Sequence, residues 1–550
     1  MSAAIYYHPD AYTTSKNWLM GRNVAGESMI RGLLTHSRAE EFWIQVKKHE
    51  YARQFAATVR KAGRNEPVKV VSRNNLGALA EVGLVYYPGP GVGGHALTRA
   101  LYGEASWSIC GITHTTSSAK AMDSLTGLLT HPVQSWDAII CTSTAVKHNV
   151  ERLLESQIVY LQERLGASRS VLPQLPVIPL GVHMQDFAFD ANQKTAARRT
   201  LDVDDNALIV LYVGRLSFHA KAHPLAMYQA LEAAARQTGK QVVLIECGWH
   251  ANEAIAKAYG DAAQLACPSV RVITLEGREN QNLHAAWAGA DVFCSLSDNI
   301  QETFGIAPIE AMAAGLPVVV SDWDGYRDTV RDGVDGFRIP TLMPAPGSGG
   351  DLALRHALEI DSYDMYCGHT CSLVAVDVQA ATDAFVRLFQ SSGLRREMGQ
   401  AGRERVRATY DWSVIIPQYE MLWAELGEIR RAHTKNFKPL AHPWPARMDP
   451  FDAYAAYPTH TLTRDTVLKL AGTDVDAEIQ RTLAYRELAM VDFARIVLPT
   501  REEIEIVLVS LTEGARTASE IVATLPTERQ PFVLRSLGWL AKLGVLSVVS

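Results

Sequence analysis

Residues 290–317 constrain the fold more than any other stretch. Ala290-Asp291-Val292-Phe293-Cys294-Ser295-Leu296 is an apolar run that reads as a buried strand. A loop follows, the chain turns at Gly305, and residues 307–315 read as a helix with Pro308 in its first turn and Gly315 at its C-terminal stop. Strand, glycine turn and helix, in that order, belong to a wound α/β sheet. Backbone N–H groups and the positive end of the helix dipole suit such a helix start to a phosphate. Two carboxylates flank the turn, Glu302 on the loop and Glu310 inside the helix. Taken alone, the pair reads more readily as a solvated loop acid and an ordinary helix acid. A phosphate held at the turn would leave one carboxylate on each side of it, free to accept hydroxyl hydrogen bonds. A diphosphate with a sugar on each side is a nucleotide-sugar.

The same alternation runs through the chain. Strands read at residues 3–8, 42–46, 68–72, 84–87, 107–113 and 137–142, with helices at 24–36, 50–62 and 143–156. A second series reads as strands at 207–213, 242–246, 270–275, 290–296 and 318–321, and residues 332–340 as a glycine-turned, hairpin-like segment. This is the pattern of parallel sheets wound on both faces, whose ligands sit at the C-terminal strand ends. The Gly21 loop at 17–23 and His114 fall at such ends. At 550 residues the chain is too long for one core, and three domains are expected. A net charge of −6 argues against a general binder of nucleic acid or anionic membrane. No apolar run reaches about 18 residues, and the first ten residues lack a signal-peptide pattern. Seven scattered cysteines point to reduced thiols and a cytoplasmic location. Cys367, His369 and Cys371 are too few for a metal site, and none is expected.

Three strings carry a resemblance. Residues 302–321 place E-x7-E within E-T-F-G-I-A-P-I-E-A-M-A-A-G-L-P-V-V-V-S, residues 214–216 read G-R-L with Lys221 shortly after, and residues 410–413 read Y-D-W-S before a long amphipathic helix. The chain resembles the retaining nucleotide-sugar glycosyltransferases of family 4, which have the GT-B fold. The resemblance covers about residues 1–430, most strongly 207–340. It implies two Rossmann-like α/β domains facing a cleft: an acceptor domain at 1–176, a donor domain at 177–410 and a crossover helix at 411–438. It also implies roles. Arg215 and Lys221 would neutralise the diphosphate, Glu302 would hold donor-sugar hydroxyls, and His114 would stand near the reacting sugar. Gly21, Gly214, Arg278, Phe304, Gly305, Ile306 and Glu310 would bind the donor, with Glu310 on the ribose. The donor is then a nucleotide-diphosphate sugar, no cofactor or metal is needed, and the acceptor is an unspecified glycan, lipid, protein or small molecule. Two alternatives stay open: a phosphorylase or sugar-phosphate synthase on the same fold, and a non-catalytic binding or scaffold protein.

Beyond the resemblance, residues 439–458 read as a proline-rich linker, and 459–550 as a small, mainly helical domain like a winged helix. Glu502, Glu503, Glu505, Glu513, Glu520 and Glu528 leave it without a basic patch, so protein contact, acceptor recruitment or homodimerisation is expected of it rather than DNA binding. A peripheral membrane contact is left open. An insert spans 341–377.

Overall fold

The computed structural model describes residues 3–13, 21–434 and 437–549. Two compact units divide the chain, Met1–Trp444 and Pro445–Ser550.

The first unit holds two six-stranded sheets. One is formed by β1 (Ala4–Tyr6), β2 (Phe42–Gln45), β3 (Val68–Val71), β4 (Leu84–Tyr86), β5 (Ser108–Ile112) and β6 (Ala138–Ile140). Its order is β3-β2-β1-β4-β5-β6, every pair parallel. The other is formed by β7 (Leu208–Val213), β8 (Val242–Gly248), β9 (Arg271–Glu276), β10 (Val292–Ser295), β11 (Val318–Ser321) and β12 (Gly336–Ile339). Its order, β12-β11-β10-β7-β8-β9, is the same winding, again all parallel. Parallel strands covered by helices on both faces must be apolar on both sides, and β5 and β10 are buried at every residue. Each sheet carries an ion pair whose carboxylate also accepts from a strand amide. The Asp137 carboxylate accepts from the fully buried Arg99 and from the Ile109 amide. The Asp291 carboxylate accepts from Arg198 and Lys194 and from the Ile209 amide. Reversal of winding direction opens a crevice between β1 and β4 in the first sheet and between β7 and β10 in the second.

The long helix Trp412–Thr434 returns from the second sheet to the first. Trp412, Ile415, Ile416, Tyr419, Leu422, Trp423 and Leu426 are buried in the core under β1, β2 and β4. The Trp412 ring fills the space left by two glycines: a Cβ on Gly32 or Gly181 would lie 2.6 Å or 2.5 Å from it. Past this helix, the Phe437 ring stands edge-on to Trp136, and the Leu440 amide donates to Glu104. The expected linker, 439–458, is thus tied at its start to the first sheet's domain by one hydrogen bond, and the division at 444/445 falls within it.

Two expectations are corrected. Residues 332–340 do not form a hairpin: β12 is an edge strand parallel to β11, and the glycine-rich turn only feeds it. Gly21 is not in a loop but is the first residue of the helix Gly21–His36; residues 17–20 of the expected loop lie outside the described residues. The insert folds as helices Gly350–Ala357 and Tyr363–Cys371, closed at its base by the antiparallel pair β13 (Thr341–Leu342) and β14 (Ala375–Val376).

The second unit has its own core, with Leu468, Ile504, Val507, Leu508, Leu511, Leu537 and Leu540 buried together. It is mainly helical, as expected, with a small sheet beside the helices. β15 (Val467–Leu470), β16 (Arg516–Thr517) and β17 (Leu546–Val548) form an antiparallel sheet in the order β16-β15-β17. Two of its glutamates are helix caps: Glu503 closes a capping box with Thr500, and Glu520 one with Thr517.

Candidate functional site

The crevice of the second sheet brings together the loops that leave β7 and β10. After β7 come Gly214, Arg215 and Lys221; after β10 come Ser297–Phe304 and the Gly305 turn. Side chains stitch the two loops into one wall. Arg215 donates to the Ala220 carbonyl and to Gln301 Oε1, both at 3.0 Å. Asn299 Nδ2 donates to the His219 carbonyl, and the His223 amide donates to Asp298 Oδ1. Lys221 Nζ meets Glu302 Oε2 at 2.5 Å, with only 9% of the Glu302 side chain exposed. Burial works against the Glu302 charge. The Lys221 ammonium and the Thr303 and Phe304 amides outweigh it, and the carboxyl is held below its ordinary range. The sequence places Lys221 and Glu302 in separate roles; the structure makes them one ion pair.

Gly305 is required by geometry. Its φ is +78°, and a Cβ there would fall 1.8 Å from the Tyr326 ring, which is anchored by a hydroxyl contact to Ser295 Oγ at 2.8 Å. Phe304 is buried beside it, and Ile306 opens the helix Ile306–Ala313. Gly214 belongs to a second close approach. A Cβ on Gly248 would lie 1.9 Å from the Gly214 carbonyl oxygen, so the ends of β7 and β8 meet backbone to backbone.

Glu310 behaves unlike Glu302. No hydrogen bond or ion pair engages its carboxylate among the described residues. Burial, with the Asp186 charge second, pushes its pKa to about 7. A recessed carboxylate without such a partner has lone pairs left to accept hydrogen bonds. Glu310→Gln should therefore stabilise the protein at neutral and higher pH. A carboxyl whose folded pKa is raised from 4.5 to about 7 gives stability that is full at low pH and lost as pH rises through that window. The gain from Gln should be about 1–3 kcal/mol at pH 8 and near zero at pH 4, read by urea unfolding at both.

Arg278 follows β9 as expected, yet its side chain is tied back to Glu276 by two hydrogen bonds of 2.8 Å. Among the described residues, nothing lies within 4 Å of a Cβ built on Gly21. His114 follows β5, half-buried, and its carbonyl accepts from Thr303 Oγ1 at 3.2 Å. His114 thus stands against the residue next to Glu302, and the loops of the two sheets face each other. Ser143 Oγ donates to the Thr303 carbonyl at 2.8 Å, and the Thr144 amide donates to Asp328.

Sequence reasoning missed Asp324. It has φ +43° and is hydrogen-bonded by Ser143, and burial together with the Glu302 charge raises its carboxyl to about 8. An Asp-Gly dipeptide at a strand end was the available signal.

Two Rossmann-wound domains whose strand-end loops face one another define the GT-B fold. The crystal structure of Anabaena Alr3699/HepE in complex with UDP is similar at a TM-score of 0.50 and 14% identity, over 77% of this chain and 100% of that one. Residues 193–342 match the family model described as Glycosyl transferases group 1. The chain is 27% identical over 247 residues to the phosphatidyl-myo-inositol mannosyltransferase of Mycobacterium tuberculosis (strain H37Rv), which is 44% of this chain and 51% of that protein. It is 34% identical over 185 residues to the D-inositol 3-phosphate glycosyltransferase of Geodermatophilus obscurus, 31% of this chain and 37% of that one. The chain spans about half or less of the length of these curated relatives.

Proposed function

We propose that the protein is a glycosyltransferase of family 4 that moves a sugar from a nucleotide-diphosphate sugar to an acceptor with retention of anomeric configuration. The observation that carries this reading is the Lys221–Glu302 pair, set beside Arg215 and the Gly305 turn, with Glu310, unpartnered among the described residues, one helical turn on. Arg215, Lys221 and the helix start take the charge of the leaving diphosphate. Glu310 accepts from the ribose, and Glu302 from the donor sugar. The bond from the anomeric carbon to the leaving phosphate oxygen breaks, and a bond to the acceptor oxygen forms on the same face. The acceptor proton passes to the leaving oxygen. Protein cations carry the charge, so the reading needs neither cofactor nor metal.

The test uses slow hydrolysis of α-linked nucleotide-sugars in EDTA, followed by proton NMR. The α anomer of the sugar should appear first. An initial β product, or activity that returns only with Mg²⁺ or Mn²⁺, would contradict the mechanism.

Residues 459–550 are read as a winged-helix-like recognition domain for the acceptor, a protein partner or a second copy of the chain. A chain ending at Trp444 keeps the Phe437–Trp136 and Leu440–Glu104 contacts that a cut nearer 431 would remove. It should retain donor hydrolysis and lose transfer to the acceptor. Equal transfer by the short and full chains would reduce the unit to an appendage.

A further inference from the structure

The insert is not a remote elaboration. Its second helix, Tyr363–Cys371, lies against the cation-bearing loop of the donor domain. A Cβ on Gly368 would fall 2.9 Å from His219 Cβ, and the fully recessed Cys371 donates to the Phe218 and Gly368 carbonyls. From the start of the same helix the Tyr363 hydroxyl reaches the first domain. It stands 3.3 Å from Thr115 Oγ1 and 3.2 Å from Ser117 Oγ. Burial pushes the Tyr363 phenol up to about 12, so it keeps its proton and can donate to one hydroxyl while accepting from the other.

These contacts close a ring. The 215–223 loop joins the 297–303 loop through Lys221–Glu302 and Asn299–His219. Thr303 holds the His114 carbonyl. The next residues, Thr115 to Ser117, are held by Tyr363, and the Tyr363 helix returns to Phe218 and His219. His114 is thereby gripped from both sides by the donor domain. One grip comes from the residue after Glu302, the other from the insert.

We propose that Tyr363 is a positioning residue for the transfer reaction: its hydroxyl fixes the 114–117 loop, and so His114, against the donor site. This rests on the glycosyltransferase reading above. Tyr363→Phe removes one oxygen and leaves the ring that packs the helix.

Two readouts on the full chain test it, hydrogen exchange at residues 114–117 and turnover of UDP-glucose and GDP-mannose. In Tyr363→Phe, exchange should quicken. Turnover should fall about tenfold, with KM and UDP affinity held within about twofold, because a small displacement of a reacting group costs rate rather than binding. In a His114→Ala background the same change should cost nothing further. Thr115→Ser with Ser117→Thr preserves both hydroxyls and should preserve both readouts. Unchanged exchange in Tyr363→Phe would overturn the proposal, as would an equal fall in turnover with and without His114. Absence of turnover by the wild-type chain with every nucleotide-sugar would instead count against the transferase reading, and the exchange comparison alone would then decide whether Tyr363 holds the loop.

Discussion

Lys221→Met should lower turnover of the nucleotide-sugar by about 10²–10³-fold, the usual loss when one charge-stabilising donor is taken from a reacting site. Two effects combine. On the proposed function the leaving diphosphate would lose a cation, and Glu302 loses the partner that keeps it ionised. With the ammonium gone, burial is the largest influence left on Glu302, and its carboxyl should rise above the ordinary range. The sign of its pH dependence then reverses. In the wild-type chain the Glu302 contribution to stability is present above the unfolded pKa and lost as pH falls through the depressed folded value. In the variant it should be lost as pH rises. Turnover, together with urea unfolding followed from acid pH, below the ordinary carboxylate range, up to pH 9, would show both changes. Wild-type turnover in Lys221→Met would remove the residue from the mechanism.

Gly305→Ala should be strongly destabilising, because two costs add. The left-handed backbone at φ +78° costs a non-glycine residue about 1–2 kcal/mol. The new methyl also drives into the Tyr326 ring, which is fully buried and cannot swing away, for about 1–3 kcal/mol more. Gly315, at the other end of the same helix, separates the two costs. Its φ is +79°, yet nothing lies within 4 Å of an added Cβ. Gly315→Ala should cost only the backbone part. Equal losses for the two variants in chemical unfolding would show that the Gly305 turn is not tightly packed.

Much of this site was legible because it is local. The apolar run before Ser297, the Gly305 turn, Pro308 and Gly315 specify a strand, a turn and a helix within a few residues, and the structure places β10 and Ile306–Ala313 there. The winding of both sheets followed from the alternation of strand and helix. What was not legible depends on distant partners. Lys221 and Glu302 are 81 positions apart, and Tyr363 meets Thr115 across 248. Neither spacing leaves a periodic trace. Residues 332–340 misled because Gly333 and Gly336 signal a turn locally, whereas the pairing of β12 is decided by the open edge of β11. The acids of the second unit were counted for charge. Glu503 and Glu520 in fact serve as caps, a role set by Thr500 and Thr517 three residues before each.

The central claim is that the crevice between β7 and β10 binds a nucleoside diphosphate. Calorimetric titration with UDP, GDP, ADP and dTDP tests it most directly, with thermal unfolding in parallel. The account predicts that at least one binds at a single site and, at about 100 times its dissociation constant, stabilises the protein by roughly 2.7 kcal/mol. Glu310→Gln should weaken that binding. No heat and no thermal shift with any of the four would contradict the account.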